Sequence, residues 1–314
     1  MVKRIDPHVH CRDGKEHYKA NIRRVSELAK KQGVTHICDM PNTNPPILRE
    51  KDVIARIELA GERKPVVGYS FYVKLTADEG QIKEAARLAR DYPQVCGLKL
   101  YPPENENRKI YQVLADEGYS GVLAIHAEKF SLLKPELFVP KRPWTHNLAH
   151  PPEAEIESIK EQIRFSTEAN FRGNLYICHI TLPESAKLIW QAKKHLNIYS
   201  EITPHHLLMN NEESVMDGGN GLLLKVNPPL RSREASADLL KATINGLVDC
   251  LGTDYAPHTF VEKLYPPYLS GIASYGLYGM VLNFLREQGM PEKDIEKLTY
   301  WNIKKIFGDK LKDA

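Results

Sequence analysis

The stretch Asp6-Pro7-His8-Val9-His10 sets two histidines two residues apart in an apolar run. On a strand that spacing sends both imidazoles to one side, where they can grip one metal ion. Taken alone, His-x-His also reads as two polar residues at a strand end. Gly97-Leu98-Lys99-Leu100-Tyr101 sets a lysine inside an apolar strand, where an unpaired ammonium is costly to desolvate. Such a lysine snorkels to the rim, pairs with an acid, or reacts with carbon dioxide to form a carbamate. The carbamate is anionic and offers two oxygens to bridge two divalent metals. His126 and His179 each end an apolar strand, and Asp254 stands in Gly252-Thr253-Asp254-Tyr255-Ala256-Pro257-His258. Singly these are ordinary core or strand-end residues. Jointly His8, His10, His126 and His179 supply nitrogens, and Asp254 and a modified Lys99 supply oxygens, a set suited to two zinc-like ions.

Residues so far apart in sequence need elements that bring them together. Short apolar runs predict strands at Arg4 to His10, Thr35 to Met40, Pro65 to Val73, Val95 to Tyr101, Val122 to His126, Asn174 to His179, Ile198 to Thr203 and Val248 to Asp254. Between them Ile22, Val25, Leu28 and Ala29 share one helical face, as do Ile82, Ala85, Ala86 and Ala89. Similar patterns recur near 51–60, 153–170, 184–195 and 233–247. Eight strand–helix units suit a (β/α)8 TIM-type barrel, although a doubly wound open sheet shares the local pattern. The polar groups decide for the barrel. They sit at or just after strand ends, and a closed ring gathers residues from many strands at its carboxyl face. One domain, 1–314, is expected, with Met209 to Arg231 as a loop over the barrel mouth.

The chain has 314 residues, with 42% hydrophobic and 26% charged, the make-up of a folded globular protein. Its 43 basic and 40 acidic residues leave a net charge of +3, with no basic block for nucleic acid or a membrane surface. A small-molecule partner is favoured by elimination. No apolar signal region opens the sequence and no run of about eighteen apolar residues follows, so a cytoplasmic location is expected. The five cysteines, Cys11, Cys38, Cys96, Cys178 and Cys250, lack CxxC spacing and read as small buried hydrophobes.

The ordered set His8, His10, Lys99, His126, His179 and Asp254 resembles the metal-ligand set of the amidohydrolase superfamily. Asp6 to Asp13, Asp39-Met40-Pro41-Asn42-Thr43, Glu201-Ile202-Thr203-Pro204-His205-His206-Leu207, Lys225-Val226-Asn227-Pro228-Pro229-Leu230-Arg231 and Thr253 to His258 resemble, in order and spacing, the dihydroorotase family. That resemblance implies two zinc or similar divalent ions per subunit, with carboxylated Lys99 as the bridging ligand. It implies that Arg12, Asn42 and His258 bind the substrate carboxylate and that Asn227 holds the ring. Arg12 suits the task because its planar fork can take a carboxylate in two parallel bonds. A salt bridge to Asp13 is the plainer reading of Arg12, and a turn residue that of Asn42. The reaction implied is reversible hydrolysis of the cyclic amide of dihydroorotate to N-carbamoyl-L-aspartate, in de novo pyrimidine biosynthesis. A hydroxide bridging the two metals would attack the carbonyl, with Asp254 as general base and acid. A homodimer and association with aspartate transcarbamoylase are the partners the resemblance brings. His205 and His206 read as packing residues, and His17, His36, His146, His150 and His195 as loop, core or surface residues.

Three departures from the family pattern stand out. Tyr255 replaces a common histidine, and Ser270 to Tyr278 lacks a glutamate after its glycine-leucine. The loop Pro102 to Asn107 has no lid threonine. The first histidine motif lies close to residue 1, so a barrel without the small β-sandwich of many relatives is implied. A hydantoin or allantoin hydrolase would share all six ligands, but Arg12 and Asn42 favour a carboxylated substrate. A catalytically silent subunit supporting a transcarbamoylase would be marked by lost ligands, and all six are in place.

Overall fold

The computed structural model describes residues 3–215 and 217–311. Eight strands run parallel in sequence order: β1 (Ile5–Val9), β2 (His36–Asp39), β3 (Gly68–Lys74), β4 (Val95–Leu100), β5 (Val122–Ile125), β6 (Asn174–Ile177), β7 (Ile198–Ile202) and β8 (Cys250–Leu251). A helix follows each on the outside, including Ile22–Lys31, Glu50–Arg63, Glu79–Asp91, Pro152–Glu168, Pro183–Ala192 and Arg233–Ile244. The expected barrel is present. Helices Lys109–Asp116 and Tyr275–Glu287 complete the ring where no periodicity was read.

Local chemistry sets the helix starts. The Asn21 side chain accepts from Arg24 N at 2.9 Å, and Asp78 from Gln81 N at 2.7 Å, satisfying amides that an unfinished helix end leaves free. Ile22, Val25 and Ala29 are buried as expected, and Ser26 joins them, while Leu28 is only partly covered. Ile82, Ala85, Ala86 and Ala89 are all buried.

Strands with helices on one side and a barrel interior on the other bury both faces. The outward residues join the helices in one large apolar cluster. The inward ones, among them Ile5, Cys38, Tyr72, Cys96, Ala124, Tyr176 and Cys250, form a second. Ile303, Ile306 and Phe307 of the helix Asn302–Phe307 pack against this inner set. Burying an aromatic side chain such as Phe307 contributes about 1.5–3 kcal/mol. The cysteines are free and buried, as expected of small interior residues.

β8 is the exception, two residues long where seven were expected. Closure there passes to other groups. Asp6 accepts from Thr253 N at 3.0 Å and Thr253 Oγ1 at 2.6 Å, and His10 N donates to Tyr255 O at 2.9 Å. Tyr255 is buried against Tyr275, ring centroids 5.1 Å apart, so its departure from the family pattern falls outside the cavity lining. The segment expected as a loop after β7 carries 3-10 turns at Asn211–Val215 and Asp217–Leu224, and Met216 between them lies outside the described residues. Among the described residues no helix is long and apolar enough to cross a membrane.

Candidate active site

All six sequence-predicted ligands and Arg12, Asn42, Asn227 and His258 line one cavity of about 580 Å³ at the carboxyl ends of the strands. Three of these residues hold left-handed backbone: Arg12 at φ 64°, His179 at φ 38° and Asp254 at φ 45°. Each lies just past its strand, where such a turn costs on the order of 1–3 kcal/mol and persists because the surroundings impose it. In this fold the turn serves to aim the side chain into the barrel mouth.

The histidines form two pairs. His8 Nε2 and His10 Nε2 stand 3.3 Å and 3.0 Å from Asp254 Oδ1. His126 Nδ1 and His179 Nε2 face each other at 3.0 Å. The remaining nitrogens of three rings are held by oxygens: His8 Nδ1 by Glu201 Oε1 at 2.8 Å, His10 Nδ1 by Asn42 Oδ1 at 2.8 Å and His126 Nε2 by Glu128 Oε2 at 2.7 Å. An oxygen held at the outer nitrogen orients the ring so that the inner nitrogen faces the cavity, the arrangement of metal-bound histidines. Two inward nitrogens at 3.0 Å with no acceptor between them suit a cation. His8, His10 and Asp254 each bring a ligand atom within 4.8 Å of the others, as do His8, Cys178 and Glu201.

Lys99 is fully buried, and its ammonium donates to Cys178 Sγ at 2.9 Å. Its ring neighbour is Tyr101, 5.1 Å away. Among the described residues no carboxylate pairs with it, which removes the acid-partner alternative. Cys178 thereby departs from the other cysteines, since it contacts a site residue. The donor set fits a bound metal ion, with His8, His10 and Asp254 gathered as one candidate group and Lys99 buried in the same cavity.

Electrostatics follow from burial. Burial opposes the charge of Asp254, but His8, His10 and His179 outweigh it and hold the carboxyl well below its usual range. Burial also opposes protonation of His8, yet Glu201 and Asp254 raise it well above an ordinary imidazole. His179 is pushed well down by burial and then by His126.

Arg12 is buried and has no acid partner among the described residues, because Asp13 is taken by Ile22 N at 2.6 Å and Arg63 Nε at 2.9 Å. Its Nη2 lies 3.1 Å from His258 Nε2, which also lies 3.0 Å from Ser270 O. Burial, then Arg12, Lys19 and Lys263, hold His258 down to about 3, so it stays neutral. His10 Nδ1 engages the Asn42 oxygen, and His146 Nε2 engages Asn227 Oδ1 at 2.8 Å. Both amides thus keep their NH2 groups for the cavity. Gly271 closes this wall at φ 144°, where an added Cβ would meet Ala256 O at 2.5 Å.

Several site residues escaped the sequence reading. Glu128 is buried between His126 and His150, accepting from His150 Nδ1 at 2.8 Å. His150 lines the cavity and its ring is tilted against that of His146, centroids 4.4 Å apart; of the loop, core or surface places expected for them, His146 takes a core one and His150 a place in the site. The Pro102 to Asn107 loop is pinned by Asn105, which donates to His126 O at 3.0 Å and Glu128 O at 2.9 Å. Of the histidines read as packing residues, His206 bonds Thr203 Oγ1 at 2.7 Å and Pro228 O at 3.1 Å, and His205 is fully buried beside it.

A parallel eight-stranded barrel with this ring of donors at its mouth defines the chain as an amidohydrolase-type (β/α)8 protein. L-hydantoinase from Arthrobacter aurescens shares the fold at a TM-score of 0.85 and 24% identity, over 97% of this chain and 70% of that one. Dihydroorotase from Campylobacter jejuni shares it at 0.72 and 20%, over 97% and 82%. In sequence, dihydroorotase from Listeria innocua is 30% identical over 96% of this chain and 69% of its own length. Dihydroorotase from Aeropyrum pernix is 32% identical over 84% of this chain and 59% of its own. The chain belongs to the dihydroorotase family. No family model matches it. It spans about three fifths of the length of the first curated relatives it matches.

Proposed function

We propose that this protein is a dihydroorotase, catalysing reversible hydrolysis of dihydroorotate to N-carbamoyl-L-aspartate in de novo pyrimidine biosynthesis. The observation that carries the reading is an unpaired, buried Arg12 in the same cavity as four inward-facing histidines, Lys99 and Asp254. His8, His10, His126, His179, Asp254 and carboxylated Lys99 would hold two zinc or similar ions. Such a pair supplies Lewis-acid polarisation of the amide carbonyl and acidification of water.

The protein's own groups do the rest. Arg12, Asn42 and His258 take the substrate carboxylate, and the Asn227 NH2 group donates to a ring carbonyl. Arg12, Asn42 and Asn227 are hydrogen-bond donors, which suits a ring rich in carbonyl oxygens. Asp254 accepts the proton of the attacking water and delivers it to the ring nitrogen as the carbon–nitrogen bond breaks. In ring closure it runs the transfer backwards. The reading carries with it a cytoplasmic setting, a homodimer and association with aspartate transcarbamoylase. Glu128 and Glu201 act through the histidines they orient, as positioning residues.

The test is a substrate panel on zinc-loaded protein: dihydroorotate, dihydrouracil, hydantoin and allantoin. Preference for dihydroorotate supports the proposal. Preference for a ring without a carboxylate overturns it.

A further inference from the structure

The loops after β7 and β8 meet at two lysines that have no carboxylate partner among the described residues. Lys225 lines the cavity, and its ammonium donates to Tyr268 O at 2.9 Å and Ser270 Oγ at 2.8 Å. An ammonium carries three hydrogens, so one remains free. The Phe138 ring lies 5.0 Å from the charge. Lys263 donates to the carbonyls of Lys225 and Gly271 at 2.9 Å and 2.6 Å and so ties the two loops behind the first lysine. Burial brings the Lys225 amine down to about 8 and Lys263 to about 7.

Ser270 joins this corner to Arg12. Its hydroxyl takes the Lys225 bond, and its carbonyl lies 3.0 Å from His258 Nε2, which stands 3.1 Å from Arg12. Lys225 and Arg12, neither paired with a carboxylate among the described residues, therefore reach one residue of the cavity wall, Lys225 directly and Arg12 through His258. A tie between two loops needs donors, but not a charge. A partly desolvated ammonium is expensive unless an anion arrives to face it.

We propose that Lys225 is a second anion anchor of the cavity, which together with Arg12 grips the carboxylate of a carboxylated cyclic-amide substrate. The inference rests on the reading above and deepens it, because it assigns carboxylate selectivity to two cations on separate loops.

Orotate and uracil, one ring with and without a carboxylate, serve as probes in calorimetric binding to the zinc-loaded protein. Wild type is expected to prefer orotate. Lys225→Met should weaken orotate by about tenfold to a hundredfold and uracil by less than about threefold, as loss of a charge-assisted bond predicts. Lys225→Gln, which keeps a donor for Tyr268 and Ser270, should show the same loss, and Lys225→Arg should recover most of it. An unchanged orotate-to-uracil ratio in Lys225→Met and Lys225→Gln, whether both affinities hold or both fall, would overturn the assignment and leave Lys225 a structural tie. A wild type with two bound metals and no preference for orotate would overturn the carboxylated-substrate reading as well, which separates the two failures.

Discussion

Glu201 Oε1 lies 2.8 Å from His8 Nδ1, although the two residues stand on β7 and β1 with β8 between them. The same side chain accepts from Tyr176 OH at 2.9 Å and from His179 N at 3.0 Å. One buried carboxylate thus fixes the tautomer of one inward-facing histidine and the backbone of another. Glu201→Gln should weaken zinc binding by about tenfold to a hundredfold, the usual effect of losing such a partner. Competition against a chelator measures it, and an unchanged affinity would remove Glu201 from the site.

Lys99 has a thiol where a buried ammonium needs an acid. Lys99→Ala should therefore lower bound zinc by one ion per chain and abolish nearly all ring opening. Elemental analysis beside the assay reads both. A fully metallated, active variant would refute the bridge.

Asp254 is the proton carrier in this account. Asp254→Asn should reduce kcat by about 10²–10⁴-fold, the range for loss of a general acid–base group. Retained kcat in a variant that still binds metal would move the role elsewhere.

The metal-free protein should be acid-labile. Burial pushes His146 down to about 3 and His206 to about 4, from an ordinary 6.5. Between those values the unfolded chain binds protons that the folded chain refuses, so stability is full above about 6.5 and falls as pH drops toward 4. Each such histidine contributes a slope of up to about 1.4 kcal/mol per pH unit. Urea unfolding at pH 7 and pH 5 measures it, and His206→Gln should flatten the slope. Equal stability at both pH values would contradict the burial argument.

The fold was legible because strand ends and chemistry coincide. His8 and His10 point together by period two, and Lys99, His126 and His179 each sit at or just past a run that can only be a strand buried on both faces. β8 was overdrawn, since Val248 to Asp254 is apolar enough for a long strand but the left-handed turn at Asp254 and the Asp6–Thr253 bonds replace the ladder. No local pattern could pair Glu201 with His8 across 193 residues. Glu128 did leave a signal, two residues beyond His126 at the end of an apolar run, where a buried carboxylate needs a partner. His146 and His150 gave none, because their partners Asn227 and Glu128 come from other loops. Lys225 opens the motif Lys225 to Arg231, yet only the missing acid around it points to a role.

Under the proposed function, this ring of residues works through bound metal on a cyclic amide. That is tested most directly by following ring opening of dihydroorotate and closure of N-carbamoyl-aspartate before and after metal removal, with zinc restored in bicarbonate. The chelated protein is expected to be silent, with activity in both directions returning as two zinc ions per chain are taken up. Turnover that survives complete metal removal, or none with two ions bound, would contradict it.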